Sequence, residues 1–336
     1  MIIRTRSFPR AALVGNPSDG YFGKTIAFTF GNFRAEVVLY ESPELEILPS
    51  VRDHSVFQSI RDLVLDVNHH GYYGGIRLLK AAIKVFHDYC FEKGIVLHSD
   101  NFTIRYSSNI PHLVGLAGSS AIITACFRAL MAYYGVKIVK PVLANLILSV
   151  EKEQLGISAG LQDRVAQVYQ GPVFMDFNQK HMEEKGYGNY EMLSRDLIPS
   201  LYIAYRADLS EGSDIFHNNL RERFNRGEPE VIDSMRRWGE LTDKVRNALL
   251  SHKKSRIHDL LNENFDIRRK LCRISKDNIT MVETARSVGA SAKFTGSGGA
   301  IIGTYTDETM FQSLCEALIP MGVEVIKPDI SPESDE

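Results

Sequence analysis

Three short stretches of this chain carry residues that could move a phosphoryl group. The first, PHLVGLAGSSA (111–121), follows a run with strand character, NFTIRYSSNI, and precedes the apolar run AIITACFRALMAYYGV. A strand, a glycine-rich turn and a helix start can together make an anion site. The first N–H groups of a helix have no internal acceptor. The helix dipole adds positive partial charge there, and the two effects together hold phosphate. Gly115 and Gly118 let the backbone come close to a ligand. Ser119 and Ser120 could cap the helix or reach a Mg²⁺ ion held by phosphates. Taken alone, the stretch reads equally well as a small-residue turn with a serine cap. It has neither the Gly-Lys-Ser/Thr of a Walker A loop nor the GxGxxG of a dinucleotide site.

The second stretch begins thirty residues on. Glu151 sits near the end of a helical pattern, and AGLQDRVAQVYQG places Asp163 beside Arg164. The third, AKFTGSGGA (292–300), is a glycine-rich turn between two strand-like runs. It is either a tight hairpin with glycines at φ > 0 or a wall that closes on nucleotide phosphates. Phosphoryl transfer needs a phosphate cradle, a carboxylate for Mg²⁺, and a group that orients or deprotonates the acceptor hydroxyl. Ser120, Glu151 and Asp163 could fill the last two roles.

The elements that must position these residues follow from periodicity. Strands are expected near 10–15, 24–30, 33–40 and 44–49, separated by the turn signals GNPSDG and FGN. Ile76, Leu79, Ala82, Ile83, Phe86 and Tyr89 recur at spacings of three and four, which predicts a helix over 74–94. Further helices are expected over 119–134 and 141–154, with Pro141 in a first turn and Gly156 as a stop. A strand near 171–177 leads into the polar, aperiodic NQKHMEEKGYGNYEMLSRD, read as a domain boundary. Then come the strand SLYIAYR, helices near 229–251, 255–271 and 277–288, two strands flanking 295–300, a helix, and a last strand VEVIK. The order mixes strands and helices without βαβ alternation, so the expected class is α+β.

At 336 residues the chain suits two domains, expected at 1–190 and 195–330. Its 39 basic and 41 acidic residues leave a net charge of −2, which favours neither nucleic acid nor an anionic membrane as partner. MIIRTRSFPRAALVG has no apolar run fit for a signal or membrane segment. Cys90, Cys126, Cys272 and Cys315 are scattered, with no CxxC, and read as reduced thiols of a cytoplasmic protein.

PHLVGLAGSSA resembles the ATP-binding motif of the GHMP kinase superfamily, P-x-x-x-G-L-x-S-S-A. FPRAALVGNPSDGYFG keeps Arg10, Leu13, Gly15 and Asp19 at the spacing of that family's first motif, and AKFTGSGGA is similar to its third, A-K-x-T-G-A-G-G-G. GYYGG, VEKEQLG, AGLQDRVAQVYQG and NFDIRR look like the glucuronokinases of plants. The resemblance implies a two-domain fold, with an N-terminal domain like ribosomal protein S5 domain 2, a ferredoxin-like C-terminal domain, and a cleft between them. It implies ATP and Mg²⁺ as cofactors and D-glucuronate as the substrate, phosphorylated at its anomeric hydroxyl. Rival readings are galacturonate, a neutral hexose or a heptose as acceptor, or a non-catalytic sugar and ATP sensor. Oligomeric state is left open.

The resemblance also implies roles. Pro111, Gly115, Leu116, Ala117, Gly118, Ser119, Ser120 and Ala121 would wrap the ATP phosphates, with Gly296, Ser297 and Gly298 closing from the other side. Ser120 and Glu151 would hold Mg²⁺. Asp163 would act on the acceptor hydroxyl and Arg10 would stabilise transition-state charge. Asn16, Asp19, Tyr72, Tyr73 and Arg164 would contact the sugar. Galactokinases carry Glu-His where this chain has Asn16-Pro17. A glutamate facing a sugar carboxylate about 4 Å away would cost on the order of 4 kcal/mol at a surface-like dielectric, and an amide removes that cost. The cation for a uronate could be Arg164, Lys24, Arg77, Arg268 or Arg269.

Overall fold

The computed structural model describes residues 1–50, 53, 74–206 and 220–330. Tyr72, Tyr73 and the pair His69-His70 lie outside the described residues. Three four-stranded sheets organise the rest. The first has the order β1-β4-β6-β5, formed by Ile2–Ser7, Ala35–Glu41, Phe102–Ser108 and Glu46–Leu48. The second has the order β2-β3-β7-β8, formed by Arg10–Val14, Lys24–Thr29, Val173–Asp176 and Asn189–Met192. The third has the order β10-β11-β9-β12, formed by Lys293–Phe294, Ala300–Thr304, Leu201–Tyr205 and Glu324–Ile326. All its pairings are antiparallel. A helical crossover, a hairpin and a second helical crossover link these four strands in chain order, which is the ferredoxin-like arrangement.

Helices cover the sheets with faces that their sequences dictate. Helix α1 (Gly75–Glu92) and helix α2 (Gly118–Tyr134) pack on each other, and α2 lies against β1 and β4. Its sequence is apolar nearly all round, and it is buried nearly all round. Helix α3 (Lys140–Ser149) runs into a π turn, Val150–Gln154, and helix α4 (Gln162–Tyr169) follows. Helix α5 (Gln179–Lys185) is short and polar. Helix α6 (Pro229–Leu250) opens on its proline and buries Val231, Met235, Trp238, Leu241, Thr242, Val245 and Leu249 along one stripe. Both α4 and α6 pack on β3, so the second sheet is covered by two segments well separated in sequence. Helix α7 (Ile257–Leu271) buries Ile257, Leu261, Phe265 and Leu271, with Asn264 and Arg268 on the same stripe. Helices α8 (Lys276–Ser287) and α9 (Glu308–Leu318) pack together beside the third sheet.

The helices near 74–94, 119–134, 229–251, 255–271 and 277–288 sit where periodicity puts them. Two differences have physical causes. The 141–154 helix changes pitch at Val150. The stretch read as an aperiodic boundary holds α5 and β8, and β8 completes the second sheet. Its four residues are mostly exposed, so they show no apolar alternation. The four cysteines are unpaired. Among the described residues no helix is long and apolar enough to cross a membrane.

The turn after β2 is tightly built. Gly15 has φ +93°, and a Cβ there would lie 2.1 Å from the Lys24 carbonyl oxygen and 2.4 Å from the Thr242 hydroxyl. Gly15→Ala is therefore expected to lower stability by about 3 kcal/mol. Urea unfolding checks this as a fall in midpoint at unchanged slope.

Candidate active site

The two glycine-rich stretches meet backbone to backbone. A Cβ on Gly296 would lie 2.4 Å from the Gly115 carbonyl oxygen, and one on Gly115 would lie 3.1 Å from the Ser297 nitrogen. Strand β2 runs beside both: Arg10 N–H donates to Leu116 O (3.1 Å) and Ala12 N–H to Thr295 O (3.0 Å). The Arg10 guanidinium then ties them together. Nη1 donates to Thr295 O (2.5 Å) and Gly115 O (3.4 Å), and Nη2 pairs with Asp163 Oδ1 at 2.6 Å. From helix α7, Arg268 donates to the carbonyls of Gly296 (2.7 Å) and Ser297.

Helix α2 opens without a serine cap. Its N-cap is Ala117, in the left-handed region at φ +61°, and no side chain caps the first turn. The Ser120 hydroxyl instead donates to Ala117 O (3.2 Å), and Gln167 Nε2 donates to the same oxygen (2.9 Å). The first turn thus points backbone N–H groups at whatever fills the cavity, and a phosphate suits that geometry.

Asp163 lies in the first turn of α4, and the π turn after α3 carries Glu151. Single π turns recur at functional sites because they re-aim a side chain. Arg164 joins the two carboxylates. Its Nε donates to Glu151 Oε2 (2.8 Å), its Nη2 bonds the same oxygen, its Nη1 donates to Gly160 O (2.8 Å), and Nη1 lies 3.3 Å from Asp163 Oδ2. Arg10, Asp163, Arg164 and Glu151 therefore form a chain of alternating charge. Burial alone would raise the Asp163 carboxyl, but Arg10 and Arg164 outweigh it and hold the group below the ordinary carboxylate range. With 20% of its side chain exposed, Asp163 can still meet a ligand, while the side chains of Arg10 and Arg164 are 5% exposed. Burial pushes Glu151 up; Arg164 opposes this and Asp163 adds to it.

These groups line one cavity of about 700 Å³. It brings together Arg10, Asn16, Asp19, Pro111, Gly115 to Ser120, Glu151, Asp163, Arg164, Gly296 and Ser297. Ala121 and Gly298 are buried and do not line it. Of the candidate cations, Arg77, Arg164 and Arg268 line it, whereas Lys24 pairs with Asp243 (2.8 Å) and Arg269 with Glu283 (2.7 Å) elsewhere. Two residues that hold the turn after β2 were not singled out by sequence: Asn264, whose Oδ1 accepts from Gly15 N–H (2.7 Å), and Lys293, whose Nζ donates to Asn16 Oδ1 (2.6 Å). The signals were there. Asn264 interrupts the apolar stripe of α7, and Lys293 stands in a strand that is otherwise apolar.

ATP fits the uncapped helix start and the glycine backbones, which leave no room for side chains. For Mg²⁺, the Ser120 hydroxyl oxygen and the Glu151 carboxylate offer hard oxygen donors. Among the described residues no cluster of three or more His, Cys, Asp or Glu could hold a metal unaided, so such an ion would need phosphate oxygens as well.

Asp19 lies close to Asp163. Burial and then the Asp163 charge raise its pKa to about 6 against the lowering by Arg10. A raised carboxyl contributes stability that is full below its unfolded pKa of 3.8 and lost as pH rises through about 6. At pH 8 the ionised Asp19 therefore costs on the order of 3 kcal/mol. Asp19→Asn is expected to raise the Tm at pH 8, with a gain that shrinks as pH falls through 6. Thermal unfolding at pH 5, 6.5 and 8 checks the sign.

Residues 77–171 match the GHMP kinases N terminal domain. The chain is similar to Probable glucuronokinase 2 of Arabidopsis thaliana, with 47% identity over 90% of this chain and 84% of that protein. It is similar in the same degree to Glucuronokinase 1 of Arabidopsis thaliana, 47% identical over 89% of this chain and 84% of the other. In fold it is similar to the crystal structure of Methanococcus jannaschii mevalonate kinase, with a TM-score of 0.71 at 19% identity over 98% of each chain. A phosphate-ready helix start, two abutting glycine loops and an arginine-clamped aspartate thus stand in a chain that belongs to the GHMP kinases, in their glucuronokinase branch.

Proposed function

We propose that this protein transfers the γ-phosphoryl group of ATP, with Mg²⁺, to the anomeric hydroxyl of D-glucuronate, giving glucuronate 1-phosphate. The observation that carries the chemistry is Asp163, clamped by two guanidiniums at the edge of a cavity bounded by both glycine loops. The likeness to two plant glucuronokinases carries the choice of acceptor.

Each residue has a task in this reading. The backbone of Gly115 to Ser120 binds the phosphates. Ser120 and Glu151 hold the Mg²⁺, which would neutralise charge on the phosphate oxygens. Asp163 accepts a hydrogen bond from the anomeric hydroxyl and fixes the attack direction. Held below the usual carboxylate range, it is a weak base, and a loose transition state asks for little more than orientation before the proton leaves. Arg10 sits within bonding distance of Asp163 and both loops, where it can offset the charge that develops on the transferring group. Asn16, Asp19 and the cationic lining sort the sugar. Arg164, bonded to both Glu151 and Asp163, keeps the two carboxylates in register. A cytoplasmic setting agrees with four unpaired cysteines.

ADP release across glucuronate, galacturonate, glucose, galactose and mevalonate tests the reading. Turnover is expected with glucuronate, and Asp163→Ala is expected to lower kcat by about 10²- to 10⁴-fold. Turnover with another acceptor alone would keep the kinase and discard glucuronate. ATP binding without turnover on any of the five would discard glucuronate and leave an untested acceptor, such as a heptose, or the sensor.

A further inference from the structure

Lys293 is 1% exposed, and among the described residues no carboxylate lies within ion-pairing distance of it. Its two partners are neutral oxygens, Ala12 O at 2.6 Å and Asn16 Oδ1 at 2.6 Å. Burying a lysine without a counter-charge is costly, and a methionine could occupy similar apolar space at β10. What the lysine does here can be read from Asn16. An ammonium has no lone pair and can only donate, so the oxygen of the Asn16 amide faces it. The Phe294 carbonyl, 3.5 Å from Asn16 Nδ2, can only accept, so the amide nitrogen must face that way. Both contacts demand the same amide orientation. Asn16 lines the cavity and Lys293 does not. With its oxygen committed to Lys293, Asn16 has only N–H to offer the cavity.

The backbone of the same turn is fixed independently. Asn264 Nδ2 donates to Asn16 O (3.3 Å), while Asn264 Oδ1 accepts from Gly15 N–H (2.7 Å). Main chain and side chain of residue 16 are thus held by two residues from beyond position 260. Burial, with Arg10 and Arg268 nearby, pushes the Lys293 ammonium well below the ordinary lysine range. Even neutral, the nitrogen keeps two hydrogens for the two carbonyls, and the acceptor-only Phe294 carbonyl still requires the same Asn16 orientation.

We propose that Lys293 is a positioning residue for the acceptor sugar: by holding the Asn16 oxygen it turns an amide donor toward the cavity, which selects a carboxylate on the substrate. A carboxylate at neutral pH is acceptor-only, the complement of a fixed N–H. The choice of a carboxylate rests on the glucuronate reading above; the coupling of Lys293 to Asn16 does not.

The test is a double-mutant cycle on the KM for glucuronate, using Lys293→Met, Asn16→Ala and the double variant. Each single change is expected to raise that KM by about tenfold, with kcat and the KM for ATP nearly unchanged. The double variant is expected to be no worse than Asn16→Ala, because Lys293 acts only through the amide. Effects that multiply, or a Lys293→Met variant with normal KM for glucuronate, would overturn the proposal. Asn16→Asp decides the matter even where Lys293→Met fails to fold. It gives Lys293 an ion-pair partner but presents an acceptor to the cavity. Its KM for glucuronate is expected to rise about a hundredfold, with a much smaller change for glucose; tight glucuronate binding by this variant would also overturn the proposal. If the wild-type enzyme phosphorylates a neutral sugar and not glucuronate, the acceptor reading falls by itself, and the same cycle on that sugar's KM still decides the coupling.

Discussion

The site depends on one buried cation. Arg10 stands at the start of a strand whose five residues are all buried, and its guanidinium reaches three segments far apart in sequence: Gly115, Asp163 and Thr295. Without it Gly115 O would lose its side-chain donor, Thr295 O would keep only the Ala12 N–H, and Asp163 would lose its nearer counter-charge. Removing one partner of a buried pair leaves an uncompensated charge, typically a cost of about 3–5 kcal/mol. The interaction that assembles the site is thus the one that sets the charge of its central carboxylate.

From Arg10 the charge alternates through Asp163 and Arg164 to Glu151, with Asp19 beside Asp163. Three carboxylates within one cavity are pushed in different directions: Asp163 down, Glu151 and Asp19 up. The split follows from counting neighbours. Asp163 has two guanidiniums. Glu151 has one, and the Asp163 charge is near it. Asp19 is buried close to Asp163, and Arg10 with two backbone hydrogen bonds does not offset that burial. Carboxylates separated in this way can take separate roles at one pH.

Much of this could be read before the fold was known. Gly115 to Ser120, Glu151, Asp163, Asp19 and Arg10 stand out because their chemistry is concentrated in short, glycine-marked stretches, and they line one cavity. The helices with a clear apolar stripe were legible for the same reason. What escaped was non-local or weakly patterned. Ile2–Ser7 is a strand because it pairs with Ala35–Glu41, and its two buried residues, Thr5 and Ser7, are polar, so it shows no apolar alternation. The serines after Gly118 look like caps, yet the chain starts that helix with Ala117 in a left-handed conformation, which propensity alone disfavours. Lys293 and Asn264 carry no local motif for their partner. Their meaning is a contact with Gly15 and Asn16 across nearly the whole chain.

That contact has a consequence for how the protein can be divided. The turn Gly15–Pro17 belongs by sequence to the first sheet-forming stretch, but Asn264 and Lys293, from the other end of the chain, fix its backbone and its side chain. The wall of the cavity that carries Asn16 is therefore a property of the assembled molecule and of neither end alone. A fragment ending before Asn264 would keep Gly115 to Ser120 and their helix but lose Gly296 and Ser297, the opposite wall of the cavity, together with both residues that hold the turn. Gly115 against Gly296, and Asn16 against Lys293, are both contacts that only the whole folded chain makes.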